Sequence, residues 1–320
     1  MKMIFRLLTF LFAAAAPSAF AWGSEGHRAI GAMADTLIRG TPAAQHVHEL
    51  LGSETLSEAS VWADVVKGRG PEQTDEMIQF KTANPNHSSS HYTDIPFEET
   101  SYHDDSAGAT NIDVVHAIPA CILILQGKPD EQKVFKDASP RVALRLLAHF
   151  IEDIHQPLHV GAGYLDKTNY VDPNNFHGSF HDDLGGNELL FGTNQLHSYW
   201  DTTVVREDMA LAHVETAREF ADYLLAQRPV PDWKTSGPFM DWDRAWAGES
   251  IVLSAHVHDV PVLDEDDKNI NFRTGKPRPR WHIQNLSPDY IAWSEKAAGE
   301  QMIKAGHRLA ATLEALWPNP

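Results

Sequence analysis

The 320-residue sequence has one cysteine, Cys121. That excludes an internal disulfide, so any covalent or ionic staple in the fold must come from elsewhere. Cys121 lies in the apolar run 120–124, which marks it as a buried, inert thiol. Basic side chains are also few: 26 Lys and Arg face 44 Asp and Glu, a net charge of −18 with neutral histidine. Proteins that grip nucleic acid through Lys and Arg carry a basic face, and this balance excludes one. Long apolar runs are missing as well. No stretch after residue 21 approaches the ~20 apolar residues that a spanning helix needs, so no membrane association is expected once the amino-terminal segment is removed.

What is present begins at that segment. Lys2 and Arg6 precede an apolar run at 7–16, and the segment closes on Ala19-Phe20-Ala21. A basic end, a short apolar stretch and an A-x-A exit describe a secretory signal peptide, residues 1–21. Pro17 and the shortness of the run argue against an anchor. Cleavage after Ala21 makes Trp22 the first mature residue of an exported, periplasmic or secreted chain. The mature chain then keeps 299 residues, 320 less 21. Taking Lys2 and Arg6 from the 26 basic side chains leaves 24 against 44 acidic ones, a charge of −20. Phosphate would have to be held locally, by bound cations or helix N-termini, and the 18 histidines point to cations.

The periodicity is mostly helical. Apolar positions from Ile30 to Ile38 predict a first helix behind Ser24 as N-cap, ended by Gly40 and Pro42. Helices are expected over about 42–51, 55–67, 111–126 with a kink at Pro119, 194–205, 207–227, 241–258 and 287–316. The segment 139–155 starts with Ser139-Pro140, an N-cap with proline at the first helical position. It is apolar nearly all round, as suits the centre of a bundle. Residues 160–192 and 259–285 read as long polar loops. The expectation is a mainly α protein, one helical domain over 22–320.

His149 and Asp153 stand at i and i+4 on the central helix, on one face. His159 follows just past Pro157, and His197 and Asp201 repeat the spacing beyond the Gly-rich loop. Taken alone, either pair also describes a surface ion pair worth a few tenths of a kcal/mol. Their apolar surroundings favour a metal site, because an unpaired buried charge is costly. Imidazole and carboxylate are the ligands zinc takes when thiolates are absent.

The chain resembles the zinc-dependent single-strand nucleases of the nuclease S-one and P-one type. The resemblance lies in Trp22-Gly-Ser-Glu-Gly-His27, Trp62-Ala-Asp64, His91-Tyr92-Thr93-Asp94, the block HFIEDIHQPLH at 149–159, Gly185-Gly186-Asn187, and Leu196-His197-Ser198-Tyr199-Trp200-Asp201. These blocks span nearly the whole mature chain in the family's order. The resemblance implies the helical fold of zinc phospholipase C and nuclease P-one, built round three zinc ions. Trp22, through its α-amine and carbonyl, and His27 would hold one zinc. Asp64, His91 and His149 would hold a second, with Asp153 bridging the two. His159, His197 and Asp201 would hold a third. Asp64 and Asp153 are the implied catalytic carboxylates. Without the resemblance, Asp64 reads as a solvated helix residue and His91 as a loop histidine.

The implied activity is endonucleolytic cleavage of single-stranded DNA and RNA to 5′-phosphate products, with 3′-mononucleotides also dephosphorylated by a monomeric enzyme. Tyr92 would stack a base, Asp94 would accept a hydrogen bond from a base edge, and Asn187 would position a phosphate; core packing is the competing reading of Tyr92. The chain departs from fungal and plant members in lacking their disulfides, which suggests a bacterial-type member, and in a longer stretch between His159 and Asn187. His177, His181, Asp182 and Asp183 in that stretch read as solvated. Two other functions fit parts of the pattern: a zinc-dependent phospholipase C, and a non-catalytic periplasmic zinc-binding protein.

Overall fold

The computed structural model describes residues 22–68, 70–227, 232–270 and 277–319. The expected signal peptide lies outside the described residues. The architecture is mainly helical with small sheets. α1 (Gly23–Leu37), α2 (Pro42–Leu51), α3 (Leu56–Ala59), α4 (Trp62–Lys67) and α5 (Asp75–Ala83) lead to a 3-10 turn at His87–His91. The strand β1 (Ile95–Pro96) and the helices α6 (Val114–Leu125) and α7 (Pro140–Asp153) follow, then a second 3-10 turn at Pro157–His159.

α7 is the central element. Ser139 caps it by accepting from Val142 N at 3.2 Å, and Pro140 sits where no amide donor is needed. Every residue from 142 to 153 is buried, against α2, α3, α4, α6 and α12 (Pro288–Leu316). The one arginine among them, Arg145, is neutralised by Glu54 at 2.6 Å and lies over the Trp62 ring. α1 packs on α3, α10 (Ala217–Gln227) and α12. There the bare Cα of Gly31 permits close approach, since a Cβ would stand 2.6 Å from the Leu56 carbonyl.

Several boundaries differ from the sequence pattern. The first helix starts at Gly23, not behind Ser24; Trp22 holds the capping position in a left-handed conformation without a side-chain cap. The expected helix over 55–67 is two pieces, α3 and α4, broken at Ser60 and Val61. α5 is not disclosed by the pattern, because only Met77 and Phe80 of its nine residues are buried. The region 194–227 divides into α8 (Leu196–Ser198), a π-helical turn at Tyr199–Thr203, α9 (Val204–Leu211) and α10.

The two polar stretches are more regular than loops. Within 160–192, β2 (Gly161–Ala162) pairs in parallel with β1, and β3 (Tyr164–Asp166) lies between β4 (Asn169–Tyr170) and β5 (His181–Asp182). β6 (Leu189–Phe191) pairs with β7 (Asn194–Gln195). Within 259–285, β8 (Val262–Asp266) and β9 (Arg280–Ile283) join them in a sheet ordered β7-β6-β9-β8, with Leu189 opposite Trp281. Strands this short carry too few residues for a period-2 pattern to emerge. α11 (Trp242–Val257) and α12 match the expected helices closely. Cys121 is buried and free, and burial pushes its thiol well up, as expected for an inert side chain. Among the described residues no helix is long and apolar enough to cross a membrane.

Candidate metal centre

The helical repeat sets His149, Glu152 and Asp153 on one face of α7, and all three are fully buried. Three other segments bring donors to that face. α1 contributes His27, whose ring stacks on His149 with centroids 4.1 Å apart. α4 contributes Asp64, and the first 3-10 turn contributes His91. The break between α3 and α4 leaves the Ser60 carbonyl to accept from His149 Nδ1 at 2.5 Å. That bond fixes the neutral tautomer in which Nε2 offers a lone pair.

Nitrogen and oxygen atoms converge there. His149 Nε2 is 2.9 Å from His91 Nδ1, 3.1 Å from Asp153 Oδ2 and 3.7 Å from Asp64 Oδ1. His91 Nδ1 is 3.1 Å from Asp153 Oδ2 and 3.8 Å from Asp64 Oδ1. Asp153 also faces α1, with Oδ1 3.6 Å from His27 Nε2, while Asp64 Oδ2 lies 3.9 Å from the same nitrogen. The carboxylate of Asp153 therefore stands between the His91–His149 pair and His27.

A second convergence is built at the end of α7. The chain turns at Pro157, and β1–β2 pairing holds the His91 and His159 segments side by side, with Thr93 N donating to His159 O at 2.9 Å. His159 Nδ1 donates to the His91 carbonyl at 2.8 Å. His197 stacks on His159 at 4.9 Å and donates Nδ1–H to Gly185 O at 2.7 Å. Asp201 completes the group, with Oδ1 3.9 Å from His159 Nε2 and Oδ2 3.2 Å from His197 Nε2. It lies in the π-helical turn, a local widening that often marks functional positions. Gln156 Nε2 donates to Asp201 Oδ1 at 2.6 Å and orients it.

These atoms suit cations. Asp64 Oδ1, Asp153 Oδ1, His159 Nε2 and Asp201 Oδ2 are buried and have no hydrogen-bond partner among the described residues. Leaving such groups unpaired costs ~1–3 kcal/mol each. Donor atoms 2.9–3.9 Å apart match the roughly 3.3 Å between ligands around a tetrahedral zinc with ~2.0 Å bonds. Burial holds His91 and His159 well below the ordinary imidazole range, so both are neutral, the ligating form. For His149 burial works against the charged form, but Asp153 and Asp64 raise it; Asp201 does the same for His197. Burial pushes Asp153 and Glu152 above the usual carboxylate range, with Asp64 adding to both. The Lys67 ammonium lies 3.4 Å from Asp64 Oδ1.

The site residues read from the sequence meet in these two places. His27, Asp64, His91, His149 and Asp153 form the first, and His159, His197 and Asp201 the second. Trp22 is fully buried beside the first, its Nε1 donating to Glu152 O at 2.9 Å. Tyr92 is 39% exposed next to His91, which separates it from the core. Asp94 is half-buried, and burial together with Asp182 and Asp183 raises its carboxyl to about 8. Asn187 has one amide donor committed to Leu184 O at 2.9 Å. His177 and His181 are exposed, as a solvated stretch predicts. Asp183 departs from that: it is fully buried, accepts from His258 Nε2 at 2.9 Å and from Gly186 N at 3.0 Å, and so fixes the Gly185 turn under His197.

Sequence reasoning missed Glu152, Gln156, Lys67 and His258. For Glu152 a signal existed, since a third polar residue at i+3 from His149 is out of place on a buried helix. Gln156 and Lys67 carry no pattern, and His258 lies 75 residues from its partner.

A helical protein whose buried imidazoles and carboxylates converge in two adjoining clusters is a candidate multinuclear metalloenzyme. The chain belongs to the S1/P1 nuclease family, which it matches over residues 22–317. It is similar to nuclease S1 of Aspergillus oryzae, 24% identical over 311 residues that cover 94% of this chain and 93% of that one. It is 29% identical to endonuclease 2 of Arabidopsis thaliana over 217 residues, covering 64% of this chain and 63% of the relative. Endonuclease 4 of the same plant is 24% identical over 318 residues, 93% of this chain and 90% of the relative. The protein is therefore a nuclease of a metal-dependent family, a hydrolase of phosphodiester bonds whose substrates are nucleic acids.

Proposed function

We propose that this protein is an exported, zinc-dependent endonuclease that cuts single-stranded DNA and RNA to 5′-phosphate products and removes phosphate from 3′-mononucleotides. Residues 22–320 would form one helical nuclease domain of the zinc phospholipase C and nuclease P-one type, acting as a monomer. Three zinc ions are assigned. Asp64, His91, His149 and Asp153 hold one. Trp22 and His27 hold another with Asp153, the Trp22 α-amine becoming available on cleavage after Ala21. His159, His197 and Asp201 hold the third. The observation that carries this reading is the convergence of buried donor atoms from separate segments, several of them with no hydrogen-bond partner among the described residues. Bound zinc supplies Lewis acidity, lowering the pKa of water towards ~7 and neutralising phosphate charge.

The protein's own residues do the rest. Asp153 joins the first two positions and, with Asp64, sets the negative field that balances the cations. Gln156 keeps Asp201 in one rotamer. Tyr92 offers an exposed ring beside His91 on which an unpaired base stacks, which a base inside a duplex cannot do. Asp94 sits on the same segment and bonds a base edge, and Asn187 orients a phosphate with its remaining amide atoms. With a net charge of −18 and no basic groove required, binding falls only gently with salt.

The test is zinc analysis and nuclease assay on a chain whose amino terminus is verified as Trp22. About three zincs per chain, and cleavage of single-stranded DNA and RNA abolished by EDTA, are expected. Zinc without cleavage of either would make it a binding protein, and faster hydrolysis of phosphatidylcholine than of single-stranded DNA would make it a phospholipase C.

A further inference from the structure

Glu152 has no part in the ligand set above, yet it is fully buried among those ligands. Its Oε2 is hydrogen-bonded to His27 Nδ1. Its Oε1 has no hydrogen-bond partner among the described residues. Its main-chain carbonyl accepts from Trp22 Nε1 at 2.9 Å. One residue of α7 thus holds both Trp22 and His27, the residues assigned to the amino-terminal metal position.

The other imidazoles are held differently. His149, His159 and His197 each donate Nδ1–H to a neutral main-chain carbonyl, of Ser60, His91 and Gly185. His91 turns its Nδ1 towards the cluster itself. Among the assigned ligands, His27 is the one whose Nδ1 meets a carboxylate outside the ligand set. An imidazole that donates to a carboxylate is locked in one tautomer and becomes a stronger base at its other nitrogen. For His27 that nitrogen is Nε2, 3.6 Å from Asp153 Oδ1.

We infer that Glu152 is the positioning residue of the Trp22–His27 metal position, orienting His27 and strengthening its hold on that metal alone. The inference rests on the proposal that Trp22 and His27 hold a metal. The carboxylate fixes the ring, and the carbonyl anchors the Trp22 indole. Because only the side chain changes on substitution, Glu152→Gln keeps an acceptor for His27 Nδ1 without the charge, whereas Glu152→Ala removes both.

The experiment is a competitive zinc titration of the Trp22-terminated chain against a chromophoric chelator, for wild type, E152Q, E152A, H27A and E152A/H27A. Loss of the group that holds a metal-binding histidine in place weakens metal binding by ~10–100-fold. Glu152→Ala should weaken one of the three zincs by about 100-fold and leave two unchanged. Glu152→Gln should restore part of the loss. The double variant should bind no worse than H27A, because both changes act on one position. Unchanged affinities in E152Q and E152A would overturn the inference, and so would an equal loss at all three positions in a folded E152Q. Should E152A fail to fold, E152Q alone decides between these outcomes. A wild-type chain that binds no zinc would refute the proposed function instead.

Discussion

His149 Nε2 and His91 Nδ1 lie 2.9 Å apart, and the carboxylate of Asp153 is 3.1 Å from each. His149 has already committed its Nδ1–H to Ser60 O, so in the neutral ring its Nε2 can only accept. A single cation among these atoms satisfies all of them at once. Without it, buried acceptors crowd one another in a region of low dielectric. Metal binding and stability of the fold are linked for that reason, and several measurements should register the link.

Chelation should destabilise the chain. A ligand at ~1000 times its Kd stabilises by about 4 kcal/mol, and a chain of this size shifts by roughly 2 °C per kcal/mol. Thermal melts with and without EDTA should therefore differ by at least about 8 °C. Superimposable melts would mean that no metal is coupled to folding.

Gly185 supplies the carbonyl that orients His197, with φ of +55° and a Cβ position only 2.0 Å from Leu158 O. Both the conformation and the space exclude a side chain. If zinc is held as proposed, Gly185→Ala should weaken it at the His159–His197–Asp201 position by ~10–100-fold and leave the other two positions in place. A zinc titration reads this directly, and loss at a different position would refute the orienting role.

Tyr92→Ala should raise KM for single-stranded DNA with little change in kcat. Loss of a stacked base costs ~1–3 kcal/mol, or about 5–150-fold in KM. Tyr92→Phe keeps the ring and should stay near wild type. If steady-state kinetics gave Y92A a wild-type KM, stacking on this ring would be excluded.

His87, on the first 3-10 turn, is lowered to about 4 by burial, with Lys81 and Lys67 adding to the effect. The unfolded chain takes up this proton near pH 6.5, before the folded one does. The stabilising contribution is thus complete above pH 6.5 and is lost as pH falls towards 4. Urea unfolding between pH 4 and 7.5 should show His87→Gln less sensitive to acid than wild type over that window. Equal pH slopes would assign the acid sensitivity to other groups.

The long helices were legible because each needs an apolar stripe and a capped start, and both are local. Ser139-Pro140 announced α7, and Ser287 likewise caps α12 by accepting from Tyr290 N at 3.1 Å. The start of the first helix is not legible from a cap, since Trp22 holds that position without a side-chain cap. The strands escaped notice because two to five residues cannot display a period, and their partners, such as Leu189 and Trp281, are distant in the chain. The ordered blocks named residues that the fold brings together, and their roles as ligands are part of the proposal.

The sequence by itself determined the helical framework, the net acidic charge, the lone cysteine, and the donor types that α7 must present on one face. Tertiary structure alone decided the neighbours of those donors. It broke the 55–67 helix so that Ser60 could hold His149, and folded Asp183 inward onto His258. It also set Glu152 behind His27. The reason is physical: spacing along a helix fixes which side chains share a face, whereas the acceptor behind each imidazole comes from a segment that only packing brings near.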